Sequence, residues 1–240
     1  DPDTPSMVNA RKVRMAMNLA MDRETLNTAF ASGFGQIVGS VSYFGVPVGS
    51  EYYNKANEKI WEFDLPEAQR LLAEAGYADG FEITAFIAPD KSAIVPANMS
   101  QAVMQMWRDN LGLETKIDST SYSAMRPNLI GRSHNQLYVW RQVPPDQDRN
   151  SCHGMCGGQG WTPGVEVPGV ADNWKLADGS DTLADILRYK SLQDDALLGE
   201  ALIAPMLLTP GLTAVRPEVD WNPPTSASAE GGNFEFARLD

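Results

Sequence analysis

The stretch FDLPEAQRLLAEAGYADGF, residues 63–81, decides the fold because it encodes a helix, a turn and the start of a strand in direct succession. Asp64 is a good helix N-cap. The Leu-Pro-Glu run that follows it in the sequence suits the first helical turn and a capping box. Leucine and alanine then recur at helical spacing until Gly76, a residue that favours the end of a helix. Asp79-Gly80 predicts a turn. The stretch therefore predicts one helix–strand unit of an α/β protein.

The chain on the C-terminal side of this stretch repeats the alternation of strand and helix. Phe81 to Ala88 alternates along its length, is rich in β-forming residues and predicts a strand. Four further segments follow, predicted as helix 96–111, strand 113–117, helix 121–131 and strand 136–142. The order β-α-β-α-β at this spacing requires crossover connections, so we predict a mostly parallel sheet flanked by helices.

The rest of the chain is less regular. An apolar period predicts helix from Asn9 to Gly33, and Asp22 is placed to cap a second helix within it. The loop 34–57, rich in Gly, Ser, Pro and Tyr, is expected to cross a surface, and loops of this length are often functional. The C-terminal third predicts an irregular excursion at 144–181, a helix at 181–192 and short strands at 206–208, 213–216 and 234–238.

The composition excludes several classes of function. The 240 residues carry a net charge of -12, and they show no stripe of Lys and Arg that could track a phosphate backbone. Nucleic acid is therefore an unsuitable partner. No apolar run approaches the roughly 18 residues that a membrane-spanning helix needs. The polar start, DPDTP, is typical of a linker or of a cut made inside a longer protein.

Two cysteines, Cys152 and Cys156, lie four residues apart in a glycine-rich stretch. A local disulfide between them would imply an oxidising compartment. Two free thiols are an alternative. A third interpretation is a metal site that adds His153 or His134, although the spacing is not the usual Cys-x2-Cys. The residues alone leave these three interpretations open.

The sequence contains none of the common motifs that mark an enzyme active site or a nucleotide-binding loop. The nucleophile elbow, the phosphate-binding loop, the dinucleotide fingerprint and the zinc-protease helix are all missing from the sequence. Trp140 is more informative, because it lies near the end of a predicted strand, directly before a loop. Ligands gather outside the carboxyl ends of strands in open α/β sheets. Trp140 is therefore either a stacking platform for a ligand or a core residue under the loop that follows.

Two runs together resemble a known family. The first is Val13-Arg14-x-Ala16-x-Asn18-x-Ala20-x-Asp22-Arg23-Glu24, and the second is the 63–81 stretch. The segment from Met104 to Ile117 continues the match. These runs resemble the family 5 extracellular solute-binding proteins of bacterial ABC importers, which serve oligopeptides, dipeptides, nickel chelates and some oligosaccharides. The resemblance covers about residues 8 to 148.

The resemblance implies a periplasmic binding protein-like fold, in which two α/β lobes close on a ligand. The matching part is the C-terminal lobe, so we expect residues 1–205 to form that lobe and the N-terminal lobe to be missing. Residues 206–240 would be the return segment that crosses back to the first lobe. Members do no chemistry and need no cofactor; they deliver a small-molecule or peptide-like solute to a membrane permease. They work in the periplasm or, lipid-anchored, outside Gram-positive cells.

The same resemblance indicates where a ligand would bind. Trp140 falls where the family has a tryptophan at the cleft. Peptide-binding members hold the α-amino group of the ligand with an Asp shortly after this tryptophan; Val143 stands at that position, which argues against that mode of recognition. Tyr122 falls close to a second aromatic position of some members. The ligand-binding residues predicted for this chain are Trp140, Arg141, Gln142, Tyr122 and Tyr43.

Two other functions remain as alternatives. An α/β hydrolase would use carboxylates within residues 144–181, and a pocket that holds two carboxyl groups of raised pKa would favour it. A small metal-binding module would be built on Cys152, His153 and Cys156. The leading hypothesis is a non-catalytic substrate-binding component.

Overall fold

The computed structural model describes residues 3–35, 51–89, 94–133, 136–139, 167–202, 204–207, 216, 218–220 and 238–239. The α-helices in these ranges are α1 Pro5–Leu19, α2 Arg23–Ala31, α3 Leu65–Glu74, α4 Ile94–Leu111, α5 Tyr122–Ile130, α6 Val170–Asp178 and α7 Leu183–Gly199. The strands are β1 Glu82–Phe86, β2 Glu114–Asp118, β3 Leu137–Tyr138, β4 Val219–Asp220 and β5 Arg238–Leu239. A 3-10 helix occupies Lys55–Trp61. None of the described helices is long and apolar enough to cross a membrane.

The central sheet is parallel, which confirms the α/β prediction. Its strand order is β2-β1-β3, so both neighbours of β1 are reached through helical crossovers. The register pairs Phe86 of β1 with Asp118 on one side and with Tyr138 on the other. The three carboxyl ends therefore lie level along one edge of the sheet. A separate antiparallel pair joins β4 to β5.

The two faces of the sheet are covered by different helices. On β1, Ala85 and Ile87 belong to the main core, which also contains buried residues of α1, α3 and α4. Phe86 and Ala88 belong to a second cluster with Met125 and Leu129 of α5. The alternation follows from the period of two in a strand, which sends successive side chains to opposite faces. The sheet is thus a middle layer between two helical layers.

The 63–81 stretch folds as its pattern predicts, except that the Glu67 half of the capping box does not form. The Asp64 carboxylate caps α3 by accepting a hydrogen bond from the Glu67 amide, at 3.1 Å. The Asp64 amide donates to the Leu19 carbonyl at 3.0 Å rather than to Glu67, so the cap also ties α3 to α1. Gly80 has a φ of +79°, and a Cβ added there would stand 2.6 Å from the Gly112 carbonyl carbon. Gly80 is therefore required by both its backbone conformation and a close approach.

The first family-like run builds a buried corner between α1 and α2. Asp22 caps α2, as predicted, by accepting from the Thr25 amide at 3.0 Å. Arg23 is only 1% exposed. Its guanidinium donates to the Asn18 carbonyl and side chain, at 3.1 and 3.0 Å, and to the Pro205 carbonyl at 2.8 Å. Burial lowers the pKa of Arg23 to about 10. This arginine therefore fastens the chain near Pro205 to the helical corner.

Two predictions about residues 144–199 are wrong. The sequence predicts an irregular excursion over 144–181, but α6 occupies its last part. Val170, Trp174 and Ala177 recur at helical spacing, and Val170 and Trp174 lie in one cluster with Leu197 of α7. The helix predicted to end near 192 also extends to Gly199. Packing of α6 against α7 thus overrides the Gly, Pro and Asp content that favours a loop.

The remaining boundaries differ by less. Residues 55–57 of the predicted long loop begin the 3-10 helix. Residues 204–207 form no strand, contrary to the strand predicted at 206–208. Of the predicted strand 136–142, residues 137–138 are strand, and residues from 140 onward lie outside the described part of the chain.

Candidate functional site at the carboxyl edge of the sheet

The candidate site lies where the three parallel strands end. Phe86, Asp118 and Tyr138 are the last residues of their strands and stand in register. The ladder continues one step further, because the Ile87 amide donates to the Asp118 carbonyl and the Val139 amide donates to the Phe86 carbonyl, both at 2.9 Å. In-register neighbours in a parallel sheet point to the same face, so these three side chains share the face covered by α5. This is the edge at which α/β sheets bind ligands.

An apolar and aromatic cluster forms the floor of this edge. Its buried members are Phe86, Ala88, Met125 and Leu129, and Tyr122 and Tyr138 pack against them as partly buried residues. Helix α5 is held in place by its N-cap, Ser121, whose hydroxyl accepts from the Ala124 amide at 3.4 Å. The cap fixes the first turn of α5, and the first residue of that turn is Tyr122. Two tyrosine rings therefore stand beside the strand ends, where they can contact a ligand.

Asp118 supplies a fixed negative charge at the same edge. Its Oδ1 accepts from the Thr120 amide at 2.9 Å and from the Thr120 hydroxyl at 2.6 Å, and its Oδ2 accepts from the Gln136 side-chain amide at 3.1 Å. The hydrogen bonds from Thr120, first from its hydroxyl and then from its amide, lower the pKa of Asp118. The carboxylate is therefore ionised at neutral pH and held in one orientation.

The structure brings one of the predicted ligand-binding residues to this edge. Tyr122 lies in the aromatic cluster, next to the strand that leads to Trp140. Trp140, Arg141, Gln142 and Tyr43 lie outside the described residues, and so do Cys152 and Cys156. Sequence reasoning missed Asp118. The available signal was its place directly after the predicted strand 113–117 of a parallel sheet, where polar side chains face the binding edge.

The described residues also contain a buried carboxyl group away from this edge. Asp194 of α7 is 2% exposed, and neither of its oxygens has a hydrogen-bond partner in the described part of the chain. Burial, and then the charge of Asp195, raises the pKa of Asp194 well above its ordinary value, while Lys190 opposes the shift. Asp194 lies one helical turn before Leu198, which packs on the 3-10 helix. Asp194 therefore belongs to the contact between α7 and the 3-10 helix and not to the carboxyl edge.

A shallow depression beside the contact between α7 and the 3-10 helix is a weaker candidate for a binding site. It has a volume of about 380 Å³ and is lined by residues 51–54 together with Arg188, Ser191, Leu192 and Asp195. It is widely open to solvent, and its lining shares no residue with the strand ends. Nor does any group of three or more His, Cys, Asp or Glu side chains in the described ranges have the geometry of a metal site. This depression and the carboxyl edge are therefore separate features, and only the carboxyl edge lies at the strand ends.

Comparison with known proteins gives one family match. Residues 4–159, well over half of the chain, match the family model described as bacterial extracellular solute-binding proteins, family 5 Middle. The chain is 32% identical over 106 residues to heme-binding protein A of Haemophilus influenzae, an alignment that spans 43% of this chain and 18% of that protein. It is 24% identical over 139 residues to di/tripeptide-binding protein 1 of Pseudomonas aeruginosa, spanning 57% of this chain and 25% of that protein.

Among solved structures, the fold is similar to that of HbpA2 from Haemophilus parasuis. The TM-score is 0.66 at 19% identity, and the superposition covers 100% of this chain and 47% of the other. At that level of identity the likeness concerns the fold alone. The matched region spans less than half the length of each of these proteins, so it corresponds to one part of a larger relative.

Proposed function

The chain belongs to the bacterial extracellular solute-binding proteins of family 5, and from this membership we propose that it is a ligand-binding lobe of the substrate-binding component of an ABC importer. The observation that carries the proposal is that the three strands end in register at one edge of the sheet. The aromatic rings of Tyr122 and Tyr138 and the ionised carboxylate of Asp118 lie at this edge. An aromatic floor with a few placed polar groups is the usual composition of a small-molecule site.

The proposed role is binding and delivery without chemistry. The family is one of binding proteins, and its members act in the periplasm or outside the cell. We propose that this chain captures a small polar or oligomeric solute there and passes it to a membrane permease. Lipid anchoring of the complete protein is part of the same proposal.

The proposed ligand lies between this lobe and a second one. Residues 1–205 would form the present lobe and 206–240 the return segment. The chain enters that segment along the lobe surface, because Met206 and Leu207 pack against the main core and Arg23 holds the Pro205 carbonyl. One lobe offers only one wall of a cleft, so we expect the isolated chain to bind more weakly than a two-lobed protein.

Two ligand classes follow from the relatives, heme and short peptides. The experiment is isothermal titration calorimetry of the purified chain with hemin and with a panel of di- and tripeptides, repeated with Tyr122→Ala. Truncating a central aromatic contact commonly costs about 2 kcal/mol or more, so the variant should bind at least about tenfold more weakly.

The matched control is Tyr77→Ala. Tyr77 is 45% exposed and lies after α3, away from the strand ends. Circular dichroism verifies that both variants fold. Equal affinity of Tyr122→Ala, Tyr77→Ala and the unaltered chain for a bound ligand would refute the assignment of the site to this edge.

A further inference from the structure

We propose that Asp118 determines ligand specificity at the carboxyl edge, and that the ligand carries a positively charged nitrogen next to an apolar group. The inference rests on the proposed function, since it names the chemical class of solute that the same edge accepts. It adds a residue that neither the family-like runs nor the predicted ligand-binding set contains.

The charge of Asp118 is not neutralised within the described part of the chain. No Lys, Arg or His nitrogen of the described ranges lies within 4.0 Å of its carboxylate. The nearest lysine along the strand, Lys116, is paired with Glu82 on β1. The three hydrogen bonds that Asp118 accepts come from neutral groups, the amide and hydroxyl of Thr120 and the amide of Gln136. An ionised carboxylate is thus held in position with no cationic side chain of the described ranges paired to it.

The hydrogen bonds from described residues leave one acceptor direction on this carboxylate. Two ionised oxygens offer about four acceptor sites, and the three donors occupy all but one. Oδ1 already receives two donors from the turn at Thr120, whereas Oδ2 receives one from Gln136. The remaining site is therefore on Oδ2. A donor arriving there meets a carboxylate whose orientation is already fixed, so little ordering is needed on binding.

The neighbours of Asp118 favour a cation with an apolar part. Asp118, Phe86 and Tyr138 share one face of the sheet, and Tyr122 stands at the start of the helix on that face. Strands in a sheet lie about 4.8 Å apart, so Asp118 and Tyr138, two strands apart, are separated by about 10 Å. A ligand that places its nitrogen at Asp118 and an apolar group on the tyrosine rings would span this distance. Tyrosine faces attract cations as well as apolar groups.

The test compares a cationic probe with a neutral probe that keeps the same aromatic ring and two-carbon linker. Phenethylammonium is a cation with an aromatic ring, and N-acetylphenethylamine is its neutral counterpart. Each is titrated into the isotopically labelled chain, and backbone amide shifts of residues 118, 122 and 138 are followed by NMR, which detects millimolar binding. Because Asp118 is only partly buried, its ion pair with a ligand should be worth about 0.2–1 kcal/mol, so the cation should bind about 1.4- to 5-fold more tightly than the neutral probe.

The decisive variant is Asp118→Asn. Its side-chain oxygen can still accept from Thr120, and the Gln136 Oε1, which has no hydrogen-bond partner in the described part of the chain, can turn to accept from the new amide. The turn is therefore kept while the charge is lost. The matched control is Glu114→Gln, which removes one charge from the exposed, opposite end of the same strand. Loss of the preference for the cation in Asp118→Asn, with the preference kept in Glu114→Gln, is the expected result.

Three outcomes overturn parts of the argument in different ways. If both probes bind the unaltered chain equally and shift residues 122 and 138, the aromatic edge binds ligands but Asp118 has no role in specificity. If Glu114→Gln loses the preference as fully as Asp118→Asn, the acidic chain attracts cations generally and the inference fails. If neither probe shifts residues 122 and 138, the edge is not a binding site, and the proposed function fails with it.

Discussion

Gly80→Ala should destabilise the chain much more than the same change at Gly76, although both glycines have positive φ. The φ values are +79° and +92°, a region in which an L-residue costs about 1–2 kcal/mol more than glycine. At Gly76 a new Cβ meets nothing within 4 Å. At Gly80 it would stand 2.6 Å from the Gly112 carbonyl carbon and 3.1 Å from the Leu111 carbonyl oxygen. Backbone on both sides must then shift, and overpacking of this kind costs about 1–3 kcal/mol more.

We therefore expect a loss of about 2–5 kcal/mol for Gly80→Ala and about 1–2 kcal/mol for Gly76→Ala. The assay is urea unfolding of the purified chain, followed by far-UV circular dichroism and by tryptophan fluorescence. Gly112→Ala is a second control, because Gly112 has a φ of +67° and its Cβ would meet the Asp79 carbonyl oxygen at an ordinary 3.6 Å. If Gly80→Ala loses no more stability than the two controls, the close approach between the two turns does not constrain the fold and the reasoning is refuted.

Three further changes test other parts of the structure. Arg23→Met removes a buried guanidinium and its hydrogen bond to the Pro205 carbonyl, whereas the Asn18 carbonyl still accepts from the Met21 amide; the change should cost about 3 kcal/mol or more in urea unfolding. Asp64→Ala removes the cap of α3 and should cost about 1 kcal/mol, with a Glu67→Gln variant, which keeps the cap, nearly unchanged. The pKa of Asp194 is raised in the folded state above its ordinary value of 3.8. At a pH between these two values the folded chain binds more protons than the unfolded chain, so the free energy of unfolding should fall as the pH rises through this interval. Asp194→Asn should flatten that fall in thermal melts; an unchanged slope would show that Asp194 is not buried as described.

The sequence predicted the helix–strand core because local and tertiary preferences agree there. In the 63–81 stretch the cap, the apolar stripe and the glycine turn all favour one structure, and the structure confirms each of them. The Asp22 cap and the division between α1 and α2 are confirmed in the same way. Where local signals conflict, prediction failed: α6 forms among Gly, Pro and Asp residues because its apolar stripe is buried against α7.

The candidate site was predicted only in part. Tyr122 was expected near a ligand, from a resemblance, and it lies in the aromatic cluster at the strand ends. Asp118 was not singled out, because one carboxylate among 31 acidic residues has no distinguishing spacing. Its importance arises from the register that places it level with Phe86 and Tyr138.

By itself the sequence determined the class of the fold, since β-α-β-α-β spacing leaves few alternatives to a parallel sheet, and it determined the family, since the 63–81 stretch carries a specific pattern. Only the tertiary structure decided which residues meet. Arg23 reaches the Pro205 carbonyl across 182 positions of the chain, and the Trp107 indole donates to the Met17 carbonyl across 90. The physical reason is that local periodicity fixes which face of an element is apolar, whereas strand register and helix packing, which join distant parts of the chain, fix which groups stand together at an edge.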